Sequence, residues 1–124
     1  MRLLLMPFVM TIVAIAACGS CASALGPVAP AVTPDGVRFV LAHPDARSVA
    51  VAGSFNQWST VSHPLAPTNT PGVWIAVVPL PPGEHLFMYV VNGDRWISPP
   101  LAEDYAADGF GSRNGIVVVR SPER

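Results

Sequence analysis

Short stretches of alternating apolar and polar residues run along most of this 124-residue chain. Val37, Phe39 and Leu41 recur at every second position with Arg38 between them, which is the period of a strand with one buried face. No stretch of convincing length follows the period of a helix. The pattern predicts strands over residues 37–42, 48–53, 73–80, 85–91 and 115–120, a short return strand ending at Trp96, and loops over 56–71 and 98–111.

Turn-forming residues separate these strands at close intervals. Pro-Pro-Gly at 81–83 precedes one strand and Asn92-Gly93 follows it, and Asn and Gly both tolerate the positive φ of a tight hairpin. The sequence contains 14 Pro and 10 Gly, which favours many turns over long helices. Short strands at this spacing predict an all-β fold, an antiparallel β-sandwich of about six to eight strands.

The predicted strand over 85–91 is apolar on both of its faces. Leu86, Met88 and Val90 lie on one face, and the residues that alternate with them are also apolar. Such a strand is either central in its sheet and covered on both sides, or it leaves one apolar face open to a protein partner. The alternation by itself leaves both possibilities open.

The charge of the chain argues against two classes of partner. Its formal net charge is −1, and its seven basic residues are all Arg and form no cluster. Nucleic acids and anionic lipid head groups are bound by concentrated positive charge. We therefore expect no nucleic-acid partner and no direct electrostatic binding to a membrane surface.

The first residues have the pattern of an export signal. Residues 3–17 form an apolar run of signal-peptide length, too short for a confident transmembrane helix. The run ends in Ile-Ala-Ala-Cys, which resembles a bacterial lipobox and implies cleavage before Cys18, a lipid anchor on its thiol and, with Gly19 following, an outer-membrane or periplasmic location. Ordinary secretory cleavage near 22–24 is the alternative. The chain is thus divided into a signal peptide (1–17), a Pro- and Ala-rich tether (18–34), a sandwich (35–120) and a tail (121–124).

The sequence offers little catalytic or metal chemistry. Glycoside hydrolysis needs two carboxylates across a cleft, whereas Glu103 and Asp104 are adjacent and form at most a weak cation site with Asp108. The three His share no metal-ligand spacing. Cys21 has no partner once Cys18 is acylated, so no disulfide framework is expected. We expect no enzymatic activity, no metal and no cofactor.

Three pieces of the sequence, in this order, carry a resemblance to a known family. They are Gly-Ser-Phe-Asn-Gln-Trp at 53–58, the long segment 72–96, and Asp-Gly-Phe-Gly-Ser-Arg-Asn-Gly within 108–119. Together they resemble the early-set, immunoglobulin-like sandwich of carbohydrate-binding module family 48. The chain is similar in this to the glycogen-binding domain of the AMP-activated protein kinase β subunit and to the N-terminal domains of isoamylases and branching enzymes. The resemblance implies a non-catalytic domain over 35–120 that binds α-glucan on one sheet face.

The resemblance also implies which side chains form the carbohydrate-binding site. Trp58 and Trp96 match the family's aromatic platforms, Phe110 matches the apolar residue of a late loop, and Asn114 matches the Asn before the last strand. Met88 stands where the family has a sugar-binding Lys, and Met cannot donate a hydrogen bond to a hydroxyl. We therefore expect weak binding by aromatic stacking, with a dissociation constant of about 10 μM to 1 mM.

Each of these residues also has a purely structural interpretation. Trp58 and Trp96 are alternatively buried anchors of the sandwich, Asn114 is alternatively a turn residue, and Trp74 is expected to be core or sheet surface. The alternative for the whole chain is a structural or protein-interaction domain of a cell-envelope lipoprotein that has lost sugar binding. In that case the apolar face of 85–91 is the expected partner surface.

Overall fold

The computed structural model describes residues 26–121, and within them every regular element is a β-strand. The predicted signal peptide and the predicted lipidation site Cys18 lie outside the described residues. No helix that could span a membrane occurs between residues 26 and 121. The strands are β1 (Ala31–Thr33), β2 (Gly36–Ala42), β3 (Val49–Gly53), β4 (Pro64–Pro67), β5 (Val73–Val78), β6 (Gly83–Val91), β7 (Arg95–Ile97), β8 (Asp104–Ala107) and β9 (Arg113–Val119).

The nine strands form one antiparallel sheet that folds over into a sandwich. Its order is β1-β2-β5-β4-β3-β6-β9-β8, and β7 pairs with β6 beside this path. The first layer contains β1, β2 and β5, and the second contains β3, β6, β7, β8 and β9. β4 connects them, because Leu65 pairs with Val49 of β3 while Ala66 pairs with Ile75 of β5. The structure thus confirms the predicted all-β antiparallel sandwich.

Aromatic rings from both layers meet in the core. The ring centroids of Phe39 on β2 and Phe87 on β6 lie 5.1 Å apart in an edge-to-face arrangement. The hydroxyl of Tyr89 donates to the carbonyl of Val40 at 3.2 Å, so its buried polar atom has a partner in the opposite layer. Burial raises the pKa of Tyr89, which stays protonated at neutral pH.

β6 is a central strand, as one of the two interpretations of its apolar faces predicted. It pairs with β3 along one edge and with β9 and then β7 along the other. On the face away from the core, Met88 is 7% exposed and Val90 1% exposed, and only Leu86 is half-buried. The alternative of an open apolar face along 85–91 is therefore wrong for most of the strand.

Three strands lie where the sequence predicted none, and they raise the count to nine. β1 lies in the predicted tether, where Ala31–Thr33 pair with β2. β4 lies in a predicted loop. Two of its four residues are Pro, which cannot donate a backbone hydrogen bond to a neighbouring strand, so its sequence does not indicate a strand. β8 occupies the other predicted loop and pairs with β9. All three are short segments whose strand conformation depends on pairing with a neighbouring strand rather than on their own alternation.

Candidate functional site

An open groove of about 590 Å³ lies on the outer face of the second layer. It brings together all five side chains that the sequence predicted for the carbohydrate site, and it adds two residues that the prediction did not include. Its lining residues are Trp58, Met88, Trp96, Asp108, Phe110, Ser112 and Asn114.

Strand register explains why residues so far apart in sequence share this groove. Ala52 on β3 pairs with Met88 on β6, which places Met88 next to a small side chain. β9 pairs with β6 from Gly83 to Phe87, and its residue Asn114 lies next in the register, beside Met88. Trp96 on β7 pairs with Val90, two residues further along β6. Positions two apart on a strand share a face, so these side chains project from the same side of the sheet.

Trp58 lies in the turn that follows β3, and its backbone is in the left-handed region. Its φ is 59° and that of Gln57 is 58°, which is uncommon for non-Gly residues and a clear outlier for a bulky aromatic one. Its N–H donates to the carbonyl of Gly53 at 2.9 Å. The ring is half-buried and is not among the residues packed on the core, unlike Trp74, which packs there as expected.

The side chain of Asn56 holds this turn together. Its Oδ1 accepts the N–H of Gly53 at 3.0 Å, and its Nδ2 donates to the carbonyl of Val51 at 3.1 Å. Nδ2 also lies 2.8 Å from Nδ1 of His63. Gly53 allows the turn to approach β6, because a Cβ there would overlap the carbonyl of Leu86 and the ring of Phe55. The Gly and the Asn of this motif therefore build the turn that presents Trp58.

Trp96 is placed by the hairpin between β6 and β7. Asn92 and Gly93 have φ of 55° and 82°, as the sequence predicted for this turn. Oδ1 of Asn92 accepts the N–H of Arg47 at 2.8 Å and the N–H of Ser48 at 3.3 Å, which fixes the turn to the chain before β3. The ring of Trp96 is 44% exposed, so it is not a buried anchor.

Phe110 occupies the tip of a tight loop between β8 and β9. Oδ1 of Asp108 accepts the N–H of Phe110 at 2.7 Å and the N–H of Ser112 at 3.1 Å. Gly109 and Gly111, with φ of 84° and 90°, allow the reversals on either side of the ring. Phe110 is 92% exposed. Exposure of a large apolar ring to water does not stabilise the free protein. The Asp108 carboxylate thus orders the loop, a role that the sequence analysis missed.

Asn114 lies in β9 and not in a turn, which corrects the structural alternative for this residue. It pairs with Ala106 of β8 and is 8% exposed. Within residues 26–121 its side-chain amide makes no hydrogen bond, although it lines the groove. A donor and an acceptor are therefore available together at the groove floor.

The groove carries one charge and several apolar surfaces. Asp108 is the sole charged residue among those that line it, and no Lys or Arg joins it there. Among residues 26–121, no group of three or more His, Cys, Asp or Glu side chains is arranged to hold a metal ion. Glu103, Asp104 and Asp108 therefore do not form such a group. The arrangement suits an uncharged ligand with apolar faces and hydroxyl groups.

Comparison with known proteins gives one family. The family described as carbohydrate-binding module 48 (isoamylase N-terminal domain) matches residues 24–109. That range includes Trp58, Met88 and Trp96, whereas Phe110 and Asn114 follow it.

The chain is also similar to part of several 1,4-alpha-glucan branching enzymes. It is 42% identical over 73 residues to GlgB of Pseudomonas syringae pv. syringae (strain B728a), which is 58% of this chain and 10% of that enzyme. It is 34% identical over 92 residues to GlgB 2 of Rhizobium johnstonii, 72% of this chain and 12% of the enzyme. GlgB of Bacillus caldolyticus is 43% identical over 56 residues, covering 45% and 8%. The chain spans about a tenth of the length of these relatives.

Proposed function

The chain belongs to carbohydrate-binding module family 48, and from that premise we propose that its groove binds α-glucan without catalysing a reaction. The relatives are named for action on a 1,4-alpha-glucan, and this chain matches only about a tenth of each of them. The match thus covers only a small part of those enzymes. Glycogen and starch are the polymers that contain such chains.

The observation that carries the proposal is the convergence of three aromatic rings and one unpartnered amide in a single groove. Trp58, Trp96 and Phe110 line the same groove as Asn114. A glucose ring has a face of C–H groups that packs flat on an indole, which removes apolar area of both from water. At ~25 cal/mol per Å², covering roughly 100 Å² of one indole contributes about 2–3 kcal/mol before the costs of binding. The Asn114 amide supplies a donor and an acceptor for neighbouring sugar hydroxyls.

The proposed binding is weak. Ordering a flexible glucan and desolvating its hydroxyls offset much of the stacking gain. Met88 contributes an apolar contact at the floor but no hydrogen bond, where the family has a Lys. We propose a dissociation constant of about 10 μM to 1 mM for an α-glucan oligosaccharide.

Affinity electrophoresis tests this proposal. The full chain, in a detergent without a sugar head group, is run in native gels that contain glycogen, amylopectin or no polysaccharide. Trp96→Ala and Phe110→Ala remove two exposed rings of the groove, and Val77→Ala is the matched control because Val77 is exposed on β5 in the other layer. We expect glycogen and amylopectin to retard the wild type and Val77→Ala, and to retard the two groove variants much less.

Two other electrophoresis results would contradict this proposal. Equal retardation of all four proteins would exclude the groove as the site. No retardation by either polysaccharide would contradict the α-glucan proposal and favour the second candidate, a protein-interaction domain. The observation that favours that candidate is Met88 in place of the family's Lys, together with the 92% exposure of Phe110.

A further inference from the structure

A chain of side-chain contacts connects a histidine outside the groove to the groove's most unusual residue. His63, which directly precedes β4, contacts Asn56 through its Nδ1 at 2.8 Å. Asn56 makes hydrogen bonds to Val51 and Gly53, which both lie in β3. Gly53 in turn accepts the N–H of Trp58 at 2.9 Å. His63 does not line the groove itself.

The hydrogen bonds of Asn56 determine which form His63 must take. Oδ1 of Asn56 accepts the N–H of Gly53, so the other amide atom is Nδ2, which has only hydrogens to offer. One hydrogen is donated to the carbonyl of Val51, and the second points at Nδ1 of His63. Nδ1 must therefore accept, which requires the neutral imidazole with its proton on Nε2.

A protonated His63 is incompatible with this arrangement. The imidazolium carries hydrogens on both nitrogens, so an N–H would face the N–H of Asn56. Rotating the Asn56 amide would not help, because it would turn hydrogens toward the N–H of Gly53 and oxygen toward the carbonyl of Val51. The His63 ring is also held in place, since it packs edge-on against Phe55 with centroids 5.6 Å apart.

Trp58 depends on this turn more than an ordinary turn residue does. Its left-handed backbone is unfavourable for an aromatic residue and persists only while the surrounding contacts impose it. When Asn56 releases the turn, Trp58 is free to return to a commoner backbone region, and its ring leaves the groove.

We propose that His63 is a positioning residue for Trp58, which its neutral form holds in the groove through Asn56 and its protonated form releases. The effect on glucan binding rests on the proposed function, whereas the effect on Trp58 does not. Histidine side chains change charge between about pH 5 and 8, so binding weakens as the solution is acidified through that range.

Few other titratable groups surround His63. β3, β4 and the turn over 53–58 carry no charged side chain, and β6 contributes Glu84 and His85. His85 packs on the same Phe55 ring at 6.2 Å, but its Nε2 lies 2.8 Å from the carbonyl of Pro81 and it makes no contact with Asn56. In the described part of the chain, no carboxylate lies within ion-pair distance of His63. Within the groove, Asp108 is the remaining titratable group.

The first experiment measures binding against pH. Maltoheptaose is titrated by calorimetry into the full chain between about pH 7.5 and 5, the range in which histidine changes charge. His63→Asn replaces Nδ1 by an amide oxygen that accepts at every pH, and His85→Asn is the matched control, since His85 also packs against Phe55. We expect wild type and His85→Asn to lose about three- to tenfold in affinity, the loss of roughly one hydrogen bond, and His63→Asn to lose much less. Equal loss in all three proteins contradicts the proposal.

The second measurement decides the inference without glucan. The indole N–H of Trp58, identified by its absence in Trp58→Phe, and the ring of His63 are followed by NMR over the same pH range. We expect the Trp58 signal to move with the protonation of His63 in the wild type and to stay in place in His63→Asn. A Trp58 signal that does not move, or that moves equally in both proteins, overturns the proposal. Absence of maltoheptaose binding at every pH would contradict the proposed function alone.

Discussion

At the scale of single residues, the groove depends on side chains in conformations or exposures that they do not favour by themselves. Trp58 has a φ of 59°, and Phe110 is 92% exposed at a loop tip. Both are held by their backbone N–H groups, which donate to the carbonyl of Gly53 and to the carboxylate of Asp108 respectively. Strained or exposed aromatic residues of this kind cost stability and are found where a protein binds something.

The left-handed backbone of Trp58 reverses the usual order of stability of a Gly and an Ala substitution at this position. Ala is normally better tolerated than Gly, but the left-handed region costs an L-residue about 1–2 kcal/mol and costs Gly nothing. We expect Trp58→Gly to be more stable than Trp58→Ala by about 1 kcal/mol, measured by urea unfolding of the full chain. The usual order, with Ala the more stable, would show that the turn does not impose the left-handed backbone.

At the scale of elements, the second layer depends on the close approach of β9 to β6. Gly115 pairs with Phe87, and a Cβ on Gly115 would lie 2.8 Å from the Phe87 ring and 2.8 Å from Cγ of Pro99. The next residue toward the groove is Asn114, so the packing at Gly115 determines where the amide of the groove floor lies.

Adding one methyl group at this contact should therefore be costly. Because the neighbouring atoms are a core ring and a proline, Gly115→Ala overpacks the core, and we expect a loss of about 1–3 kcal/mol in the free energy of unfolding. Gly26→Ala is the control, since no atom lies within 4 Å of the position of its added Cβ. Equal unfolding midpoints for the two variants would disprove the close contact between β9 and Phe87.

At the scale of the whole molecule, the charge of the groove favours an uncharged ligand. The chain has a formal net charge of −1, and Asp108 is the sole charged residue among those lining the groove. A glycan that carries phosphate or carboxylate groups would meet a like charge there without a compensating cation.

We expect a neutral maltooligosaccharide to bind more tightly than the same oligosaccharide bearing phosphates. This difference in affinity should increase as the salt concentration is lowered. Asp108→Asn is the informative variant, because it removes the charge and retains an oxygen that can accept from Phe110 and Ser112. Calorimetric titrations should show that this substitution reduces the difference in affinity between the neutral and the phosphorylated oligosaccharide. A preference for the phosphorylated ligand in the wild type would contradict the electrostatic argument.

The sequence by itself determined the strands that alternate strongly and the turn at Asn92-Gly93. It also indicated the side chains of the candidate site, and it limited β6 to two positions, of which the central one is correct. These features are local: a period of two, a tolerance of positive φ, or residue types in a recognisable order. Through the family resemblance it also brought together Trp58, Met88, Trp96, Phe110 and Asn114 as candidates for one site.

Only the tertiary structure decided which segments without alternation pair as strands. β1, β4 and β8 are strands because a partner strand is present, although their own residues do not alternate. The left-handed backbone of Trp58, the ordering of the Phe110 loop by Asp108, and the contact between His63 and Asn56 likewise depend on bonds between particular atoms. These atoms meet only when the turns and the strand pairing around them have formed, and strand register is a property of the whole sheet rather than of any one segment.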